Sequence, residues 1–173
     1  MPSSDPAARE ALVNYVKGIG IPDVILDLGV GAGGYGTMFK QIAPNCKIYG
    51  VEIWAPYLTT FKQNLACYED IYIGDIRYFD YKYAIADLVI AGDVLEHLQK
   101  SDCIRVVDRL VSIYNWIIIS LPMQKFEQGS NNKWGNKYEA HLYHWTKEEV
   151  ERELGFKFVT MAGVCGLFEY RNK

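Results

Sequence analysis

The stretch "DLGVGAGGYG", residues 27–36, determines how the rest of the chain is interpreted. It places an acid two residues before a glycine and offers two overlapping glycine triplets. The triplets are Gly29, Gly31 and Gly34, and Gly29, Gly31 and Gly33. A glycine-rich turn between a strand and a helix lets the backbone approach a ligand closely. The stretch therefore predicts a ligand-binding strand-to-helix turn, and the plainer alternative is a tight turn without a ligand.

Strands and helices alternate along the chain around this turn. Apolar runs bounded by turn residues predict strands, and several segments between them have helical spacing. The predicted strands are "DVILDLG", "KIYGVEIW", "DIYIGD", "ADLVIAGD", "NWIIISLP", "FKFVTMAG" and "GLFEYR". The last two are too close in sequence for a parallel crossover, so they form a hairpin. The sequence predicts an α/β fold with a doubly wound, mostly parallel seven-stranded sheet, helices on both faces and a C-terminal antiparallel hairpin.

Capping signals predict where several helices begin. Ser4 and Asp5, which precede a proline, are the candidate caps for the first helix. Residues 55–68 are predicted to form one helix, and Ser101 is placed to cap the helix after the fourth strand. Thr146 and Glu149 have the spacing of a capping box, which predicts the start of the last helix.

Length and composition indicate a single domain of 173 residues. A net charge of −3 gives no broad basic surface, so a nucleic-acid partner is not expected. The apolar runs are too short to cross a bilayer, and residues 1–10 lack the apolar core of a secretory signal. Four widely spaced cysteines favour reduced thiols over disulfides or a zinc site. These features favour a cytoplasmic protein without a membrane partner and leave its oligomeric state open.

Carboxylates lie at or near the ends of the first four predicted strands. They are Asp27, Glu52, Asp75 and Asp93. Doubly wound sheets bind ligands beyond the carboxyl ends of their strands. Glu52 follows Gly29 by 23 residues and can accept hydrogen bonds from the ribose of either a nicotinamide dinucleotide or S-adenosylmethionine. Asp75 is placed to accept a hydrogen bond from an adenine amino group, with a solvated turn residue as the alternative.

Four motifs in order resemble those of class I S-adenosylmethionine-dependent methyltransferases. They are "VILDLGVGAGGYG", "IYGVEIW", "IGDIRYF" and "DLVIAGDVLEHL". The resemblance covers nearly the whole chain and implies that residues 1–173 form a single S-adenosylmethionine-binding domain. The rival interpretations are an NAD-dependent oxidoreductase and a non-catalytic nucleotide-binding module. The chain offers no second mononucleotide unit for a nicotinamide half.

The resemblance implies roles for the residues of the first two motifs. Asp27 would help to hold the methionine ammonium of the cofactor, usually through water. Gly29, Gly31 and Gly33 would form the loop under its amino acid and ribose, and Glu52 would bind the ribose hydroxyls. S-adenosylmethionine is therefore the expected cofactor.

The later motifs imply the adenine site and the acceptor site. Ile53 and Ile76 would pack on the adenine ring, and Asp75 would bind its amino group. Asp93 follows the fourth strand, where the chain of this family faces both cofactor and acceptor. Asp93 is therefore expected at both the cofactor-binding and the catalytic parts of the site.

Two histidines are the candidate general bases. Methyl transfer from a sulfonium needs alignment of acceptor, methyl and sulfur, and a base only where the acceptor must lose a proton. His97 in "DVLEHL" and His141 in "YEAHLYHW" have the side chain suited to this task, with Asp93 as the third catalytic candidate. The alternative for His97 is a structural helix residue, and His144 is expected to be structural or at the surface.

A metal-dependent alternative uses the same region. Asp93, Glu96, His97 and His141 resemble the acid-x-x-Glu-His plus distant His arrangement of metal-dependent small-RNA 2′-O-methyltransferases. A divalent ion there could bind ribose hydroxyls and lower their pKa. That family has Glu where this chain has Asp93. The net negative charge of the chain also argues against an RNA substrate. The favoured interpretation assigns no metal.

Residues 122–145 are predicted to be a substrate loop or lid. A segment this long without periodicity is usually functional or disordered, and its aromatic residues argue against disorder. The alternative is aromatic packing over the sheet edge. The stretch "GNKYEAHLYHW" is similar to a segment of small bacterial methyltransferases associated with sugar or polysaccharide pathways. The absence of a large insertion also favours a small-molecule, sugar-like acceptor.

Overall fold

The computed structural model describes residues 5–125 and 135–172 and contains a seven-stranded sheet. The strands are β1 Val24–Leu28, β2 Lys47–Glu52, β3 Asp70–Ile73, β4 Leu88–Gly92, β5 Trp116–Pro122, β6 Lys157–Ala162 and β7 Cys165–Arg171. The α-helices are α1 Pro6–Ile19, α2 Gly34–Ile42, α3 Pro56–Thr60, α4 Lys62–Leu65, α5 Lys100–Val111 and α6 Lys147–Glu149. A π-helical turn, Val150–Leu154, continues α6, and three-residue 3₁₀ turns lie at Tyr81–Tyr83, Leu95–His97 and Lys137–Glu139.

The sheet has the order β3-β2-β1-β4-β5-β7-β6. β1 to β5 pair in parallel, whereas β7 is antiparallel to both β5 and β6. The predicted fold class is therefore confirmed, and β7 is the strand that runs against the others. Because β1, β2 and β4 are parallel neighbours, their carboxyl ends meet at one edge of the sheet.

Helices cover both faces of the sheet and bury two apolar clusters. On one face, Leu12 and Val16 of α1 pack with Phe39 of α2 against β1, β2 and β4. On the other, Val107 of α5 and Leu154 of the π-helical turn belong to the second cluster. Since β4 and β5 are buried along their whole length, their continuous apolar runs match a doubly covered sheet.

Two helix predictions need correction. Residues 55–68 do not form one helix, because the chain breaks at Phe61, which has a φ of −111°. Tyr57 in α3 and Leu65 in α4 are both buried. Ser101 does not cap α5: the helix begins at Lys100, and the carbonyl of Gln99 accepts from the Cys103 amide within the first turn.

Two capping predictions are confirmed. The Asp5 side chain accepts from the Ala7 amide and caps α1, whereas the other candidate, Ser4, lies outside the described residues. The capping box of Thr146 and Glu149 has both of its reciprocal hydrogen bonds. Within residues 5–125 and 135–172, no helix combines the length and apolar character needed to span a membrane.

Candidate functional site

A cavity of about 480 Å³ opens at the carboxyl edge of the parallel strands. All predicted site residues except Asp27 and Gly33 line it. These lining residues are Gly29, Gly31, Glu52, Ile53, Asp75, Ile76, Asp93, His97 and His141. His144 does not line it. The sheet topology therefore brings the residues of five separate sequence segments to one place.

The glycine turn forms the floor of the cavity and is held to the end of β2. Gly29 and Gly31 have φ values of 77° and 55°, a backbone region that side-chain-bearing residues rarely adopt. The Gly31 amide donates to Glu52 Oε2 at 2.9 Å, and the Trp54 amide donates to Glu52 Oε1 at 2.7 Å. Burial raises the pKa of Glu52, and these amides oppose that increase. The Glu52 carboxylate is thus fixed at the cavity wall.

Asp27 lies outside the set of cavity-lining residues. Its Oδ2 accepts a 2.5 Å hydrogen bond from the Tyr68 hydroxyl, and its Oδ1 has no hydrogen-bond partner. Complete burial raises the pKa of Asp27 to about 7, although the bond from Tyr68 opposes the increase. Gly33 likewise lies away from the cavity, where it caps α2 with a φ of 77°. The roles implied for Asp27 and Gly33 remain predictions.

At the expected adenine end, Asp75 is held by its neighbour Arg77. Arg77 Nε lies 3.0 Å and 2.9 Å from the two Asp75 carboxylate oxygens, and Arg77 also binds Asp102. Partial burial raises the pKa of Asp75, but the hydrogen bonds from Arg77 outweigh it and the pKa is lowered. Asp75 is therefore an ionised, oriented carboxylate. The apolar residues Ile53 and Ile76 also line this part of the cavity.

At the opposite end, Asp93 has a strained backbone. Its φ of 53° makes it the one non-glycine residue with a positive φ in the described part of the chain. Its carboxylate accepts from Ser120 Oγ at 2.9 Å, from the Asp5 amide at 2.9 Å and from Cys165 Sγ at 3.4 Å. This network fixes an unfavourable backbone conformation at the cavity, a feature common at functional sites.

Glu96, His97 and His141 converge beside Asp93. Their potential ligand atoms all lie within 4.8 Å of one another. His97 Nδ1 is 3.1 Å from the Ala140 carbonyl, which favours Nδ1–H donation and leaves Nε2 with a lone pair. Glu96 is 2% exposed, and its Oε2 has no hydrogen-bond partner. The fourth residue of the metal-dependent pattern, Asp93, is outside this three-residue group because Ser120, Cys165 and Asp5 hold its carboxylate.

Burial lowers the pKa of both histidines in this group. The pKa of His97 falls mainly through burial, against the hydrogen bond to Ala140. The pKa of His141 falls to about 4, through burial and then through the neighbouring His97. Both imidazoles are therefore neutral at physiological pH. For Glu96, burial and then the charge of Asp93 raise the pKa well above its ordinary value.

The described part of residues 122–145 forms a wall of the cavity. Residues 126–134 lie outside the described residues. The Leu142 and Tyr143 amides donate to the Glu96 carbonyl at 2.8 Å and 3.2 Å, which ties this segment to the 3₁₀ turn Leu95–His97 after β4. Whether the segment acts as a lid remains a prediction.

Sequence reasoning missed a group of buried polar side chains that lines the cavity. The Tyr57 hydroxyl donates to Glu139 Oε1, and Asn136 Nδ2 donates to the Tyr57 oxygen at 3.1 Å. Asp5 and Arg9 of the N-terminal region were also missed as lining residues. No motif spacing could have identified these contacts, since Tyr57 and Glu139 are 82 residues apart.

Comparison with known proteins adds a family match. The family described as "Methyltransferase domain" matches residues 25–115. A protein from Nostoc punctiforme PCC 73102, provisionally assigned as an O-methyltransferase, has a TM-score of 0.72 at 18% identity. The match covers 95% of this chain and 56% of that protein, so this chain spans little more than half of it. No curated protein sequence matches the chain.

Two further solved structures share the fold. The methyltransferase domain of the bacterial protein CtHen1 has a TM-score of 0.72 at 16% identity, over 96% of this chain and 98% of that one. The N-methyltransferase NodS from Bradyrhizobium japonicum WM9, solved with S-adenosylhomocysteine, has a TM-score of 0.65 at 17% identity. That match covers 95% of this chain and 85% of NodS. At these identities the likeness establishes the fold and nothing about the acceptor.

Proposed function

The chain belongs to the methyltransferase domain family, and we propose that it transfers a methyl group from S-adenosylmethionine to a small acceptor, with sugar-like molecules the first class to test. The observation that carries this proposal is the Glu52 carboxylate, fixed by the glycine turn at the wall of a cavity that also contains Asp93 and His97. The acid proposed to bind the ribose and the side chains proposed to bind the acceptor thus line the same cavity.

The lining residues fit the proposed cofactor. The volume of about 480 Å³ is within the range of small-molecule sites. Glu52 offers carboxylate lone pairs for ribose hydroxyls, while Ile53 and Ile76 offer apolar surface for a purine. Asp75, ionised and oriented by Arg77, can accept from an amino group. These properties support the cofactor assignment.

The mechanism needs little acid–base chemistry from the protein. When bound, S-adenosylmethionine supplies a methyl group on a sulfonium whose leaving group is a neutral thioether. The cavity residues therefore contribute mainly by orienting the acceptor. His97 and His141 each offer an unprotonated imidazole to an acceptor that must lose a proton, and the pKa of about 4 makes His141 a weak base, so His97 is the better candidate. Asp93 can accept a hydrogen bond from that acceptor.

Calorimetry with S-adenosylhomocysteine and NAD tests the cofactor assignment. We expect saturable binding of S-adenosylhomocysteine and much weaker binding of NAD. Preferential binding of NAD would overturn the methyltransferase proposal in favour of an oxidoreductase. Binding of S-adenosylhomocysteine without turnover across broad acceptor panels would instead favour a non-catalytic module.

A second candidate function is metal-assisted methylation of a hydroxyl acceptor, such as the ribose of a small RNA. The observation that favours it is the convergence of Glu96, His97 and His141, with the buried Glu96 Oε2 lacking a hydrogen-bond partner. A carboxylate and two imidazoles suit a divalent transition metal. These residues would hold the ion, which would lower the pKa of a bound hydroxyl.

Metal titration separates the two candidates. If the second is correct, chelator-treated protein binds Mn²⁺. Glu96→Gln then weakens that binding by at least about tenfold, because glutamine cannot supply the carboxylate that Glu96 becomes when the metal displaces its proton. Glu151→Gln, a change at an exposed position, should leave binding unchanged. Absence of Mn²⁺ binding by the unaltered protein, or activity that persists in chelator, would contradict the metal-assisted candidate.

A further inference from the structure

Arg9 is a cation at the cavity that the predicted roles leave unused. It lies on α1, one turn after Asp5, and its side chain lines the cavity. The guanidinium lies against Gly34, the first residue of α2, so closely that a Cβ at Gly34 would overlap it. The positive charge of Arg9 therefore lies beside the glycine turn.

The Arg9 side chain has no protein partner in the described part of the chain. Its Nε is buried without a hydrogen bond, and no ion pair involves it among residues 5–125 and 135–172. The other arginine at the cavity, Arg77, is held by both Asp75 and Asp102. A partly buried guanidinium without an acceptor is costly, so its position favours an anionic ligand.

The cofactor of the proposed function contains one group that suits Arg9. Its amino-acid end carries a carboxylate as well as an ammonium, and Asp27 is predicted only for the ammonium. A guanidinium binds a carboxylate through two parallel hydrogen bonds. The glycine turn, which Arg9 touches, is the part of the cavity predicted to lie under this end of the cofactor.

We propose that Arg9 is a positioning residue that binds the amino-acid carboxylate of S-adenosylmethionine. The inference rests on the proposed function, because it assumes this cofactor. It adds one specific contact to that function. This contact would distinguish the complete cofactor from adenosine thioethers that lack the carboxylate. By fixing the end of the amino-acid chain, Arg9 restricts where the sulfur can lie relative to Asp93 and His97.

Calorimetry with two ligands and three variants tests this role. The ligands are S-adenosylhomocysteine and its decarboxylated analogue, which keeps the adenosine, the sulfur and the amine. The variants are Arg9→Met, which retains the apolar stem, Arg9→Lys, which retains the charge without the planar fork, and Lys17→Met. Lys17 is the matched control, an exposed cation in the last turn of the same helix.

We expect Arg9→Met to weaken S-adenosylhomocysteine binding by about 10- to 100-fold, as for a lost charged hydrogen bond. Binding of the decarboxylated analogue should change by less than about threefold, since it offers no carboxylate to Arg9. Arg9→Lys should show an intermediate loss, and Lys17→Met should match the unaltered protein. If Arg9→Met does not fold, as judged by thermal unfolding, the ligand dependence of Arg9→Lys decides the question.

Two results would overturn the role of Arg9 while the proposed function stands. One is unchanged S-adenosylhomocysteine affinity in the Arg9 variants. The other is an equal loss for both ligands, which would make Arg9 a structural residue of the cavity wall. If the unaltered protein binds neither nucleoside, or binds NAD in preference, the cofactor assignment itself fails and the role of Arg9 with it.

Discussion

At the scale of single residues, Glu52 joins the glycine turn to the cavity. Its two backbone contacts hold the carboxylate in place without using all of its lone pairs. Glu52→Ala should weaken S-adenosylhomocysteine binding by about 1–3 kcal/mol through loss of charged hydrogen bonds. Calorimetry measures the change, and Glu69→Ala, at an exposed position, is the control. Unchanged affinity in Glu52→Ala would show that the ribose assignment is wrong.

Asp27 predicts a pH dependence of stability. Its pKa is raised to about 7 in the folded protein and is near 4 in the unfolded chain. The folded state therefore binds the proton more tightly, and Asp27 makes the protein less stable as pH rises from about 4 through about 7. Asp27→Asn removes this charge. The variant should gain stability relative to the unaltered protein at pH 8 and gain less at pH 4.

Urea unfolding at these two pH values measures the effect of Asp27→Asn. Asp23→Asn, at an exposed position four residues earlier, is the matched control and should show no such difference. An equal effect of Asp27→Asn at both pH values would mean that burial does not perturb Asp27 as described.

The predicted cofactor-binding and catalytic residues show what can be predicted residue by residue. Glu52, Asp75, Asp93 and His97 follow strand ends, so the strand pattern alone places them at one edge. The hydrogen bonding of each side chain depends on partners that the sequence does not reveal. Asp93 is bound by Asp5, 88 residues away, and by Cys165, 72 residues away. The same contacts keep Asp93 out of the group formed by Glu96, His97 and His141.

At the scale of elements, two hydroxyl residues with similar sequence signals have different roles. Thr146 accepts from the Glu149 amide in a complete capping box, whereas the Ser101 hydroxyl makes no capping bond. Thr146→Ala should therefore lower the free energy of unfolding by about 1 kcal/mol. Ser101→Ala, its control, should change it by less than about 0.5 kcal/mol. Chemical denaturation measures both, and equal effects would contradict the assigned helix ends.

The strands were more predictable than the helices because their signal is local. β4 and β5 are buried throughout, so their unbroken apolar runs are sufficient to identify them. The break at Phe61 instead lies between two residues that make long-range contacts. Tyr57 reaches Glu139, and Leu65 packs in the cluster under α1 and α2. The helical spacing within residues 55–68 is a local pattern that does not depend on these distant partners. It therefore predicts a continuous helix.

At the scale of the whole molecule, ligand binding is linked to stability. Because S-adenosylhomocysteine is expected to bind only the folded protein, a concentration of 100 times its Kd should stabilise the protein by about 2.7 kcal/mol. For a chain of this size that corresponds to a rise in Tm of roughly 5–10 °C. Thermal unfolding with each nucleoside measures the shift. A rise with NAD but not with S-adenosylhomocysteine would contradict the cofactor assignment.

The sheet topology explains why a linear motif pattern predicts the cavity but not its acceptor. The parallel order of β2, β1 and β4 brings the predicted cofactor residues to one edge. The proposed acceptor end is also lined by Asp5 and by residues 136–142, which are more than 130 residues apart in sequence. Local sequence places residues 122–145 and His141 at the acceptor site as a prediction, but it does not reveal the contacts that these residues make with distant parts of the chain.

A crystal structure of the complex with S-adenosylhomocysteine tests the central claim most directly. We predict that the nucleoside occupies the cavity, with Glu52 bound to both ribose hydroxyls and the sulfur facing Asp93, His97 and His141. A nucleoside bound elsewhere, or bound in the cavity with its ribose away from Glu52, would contradict the account.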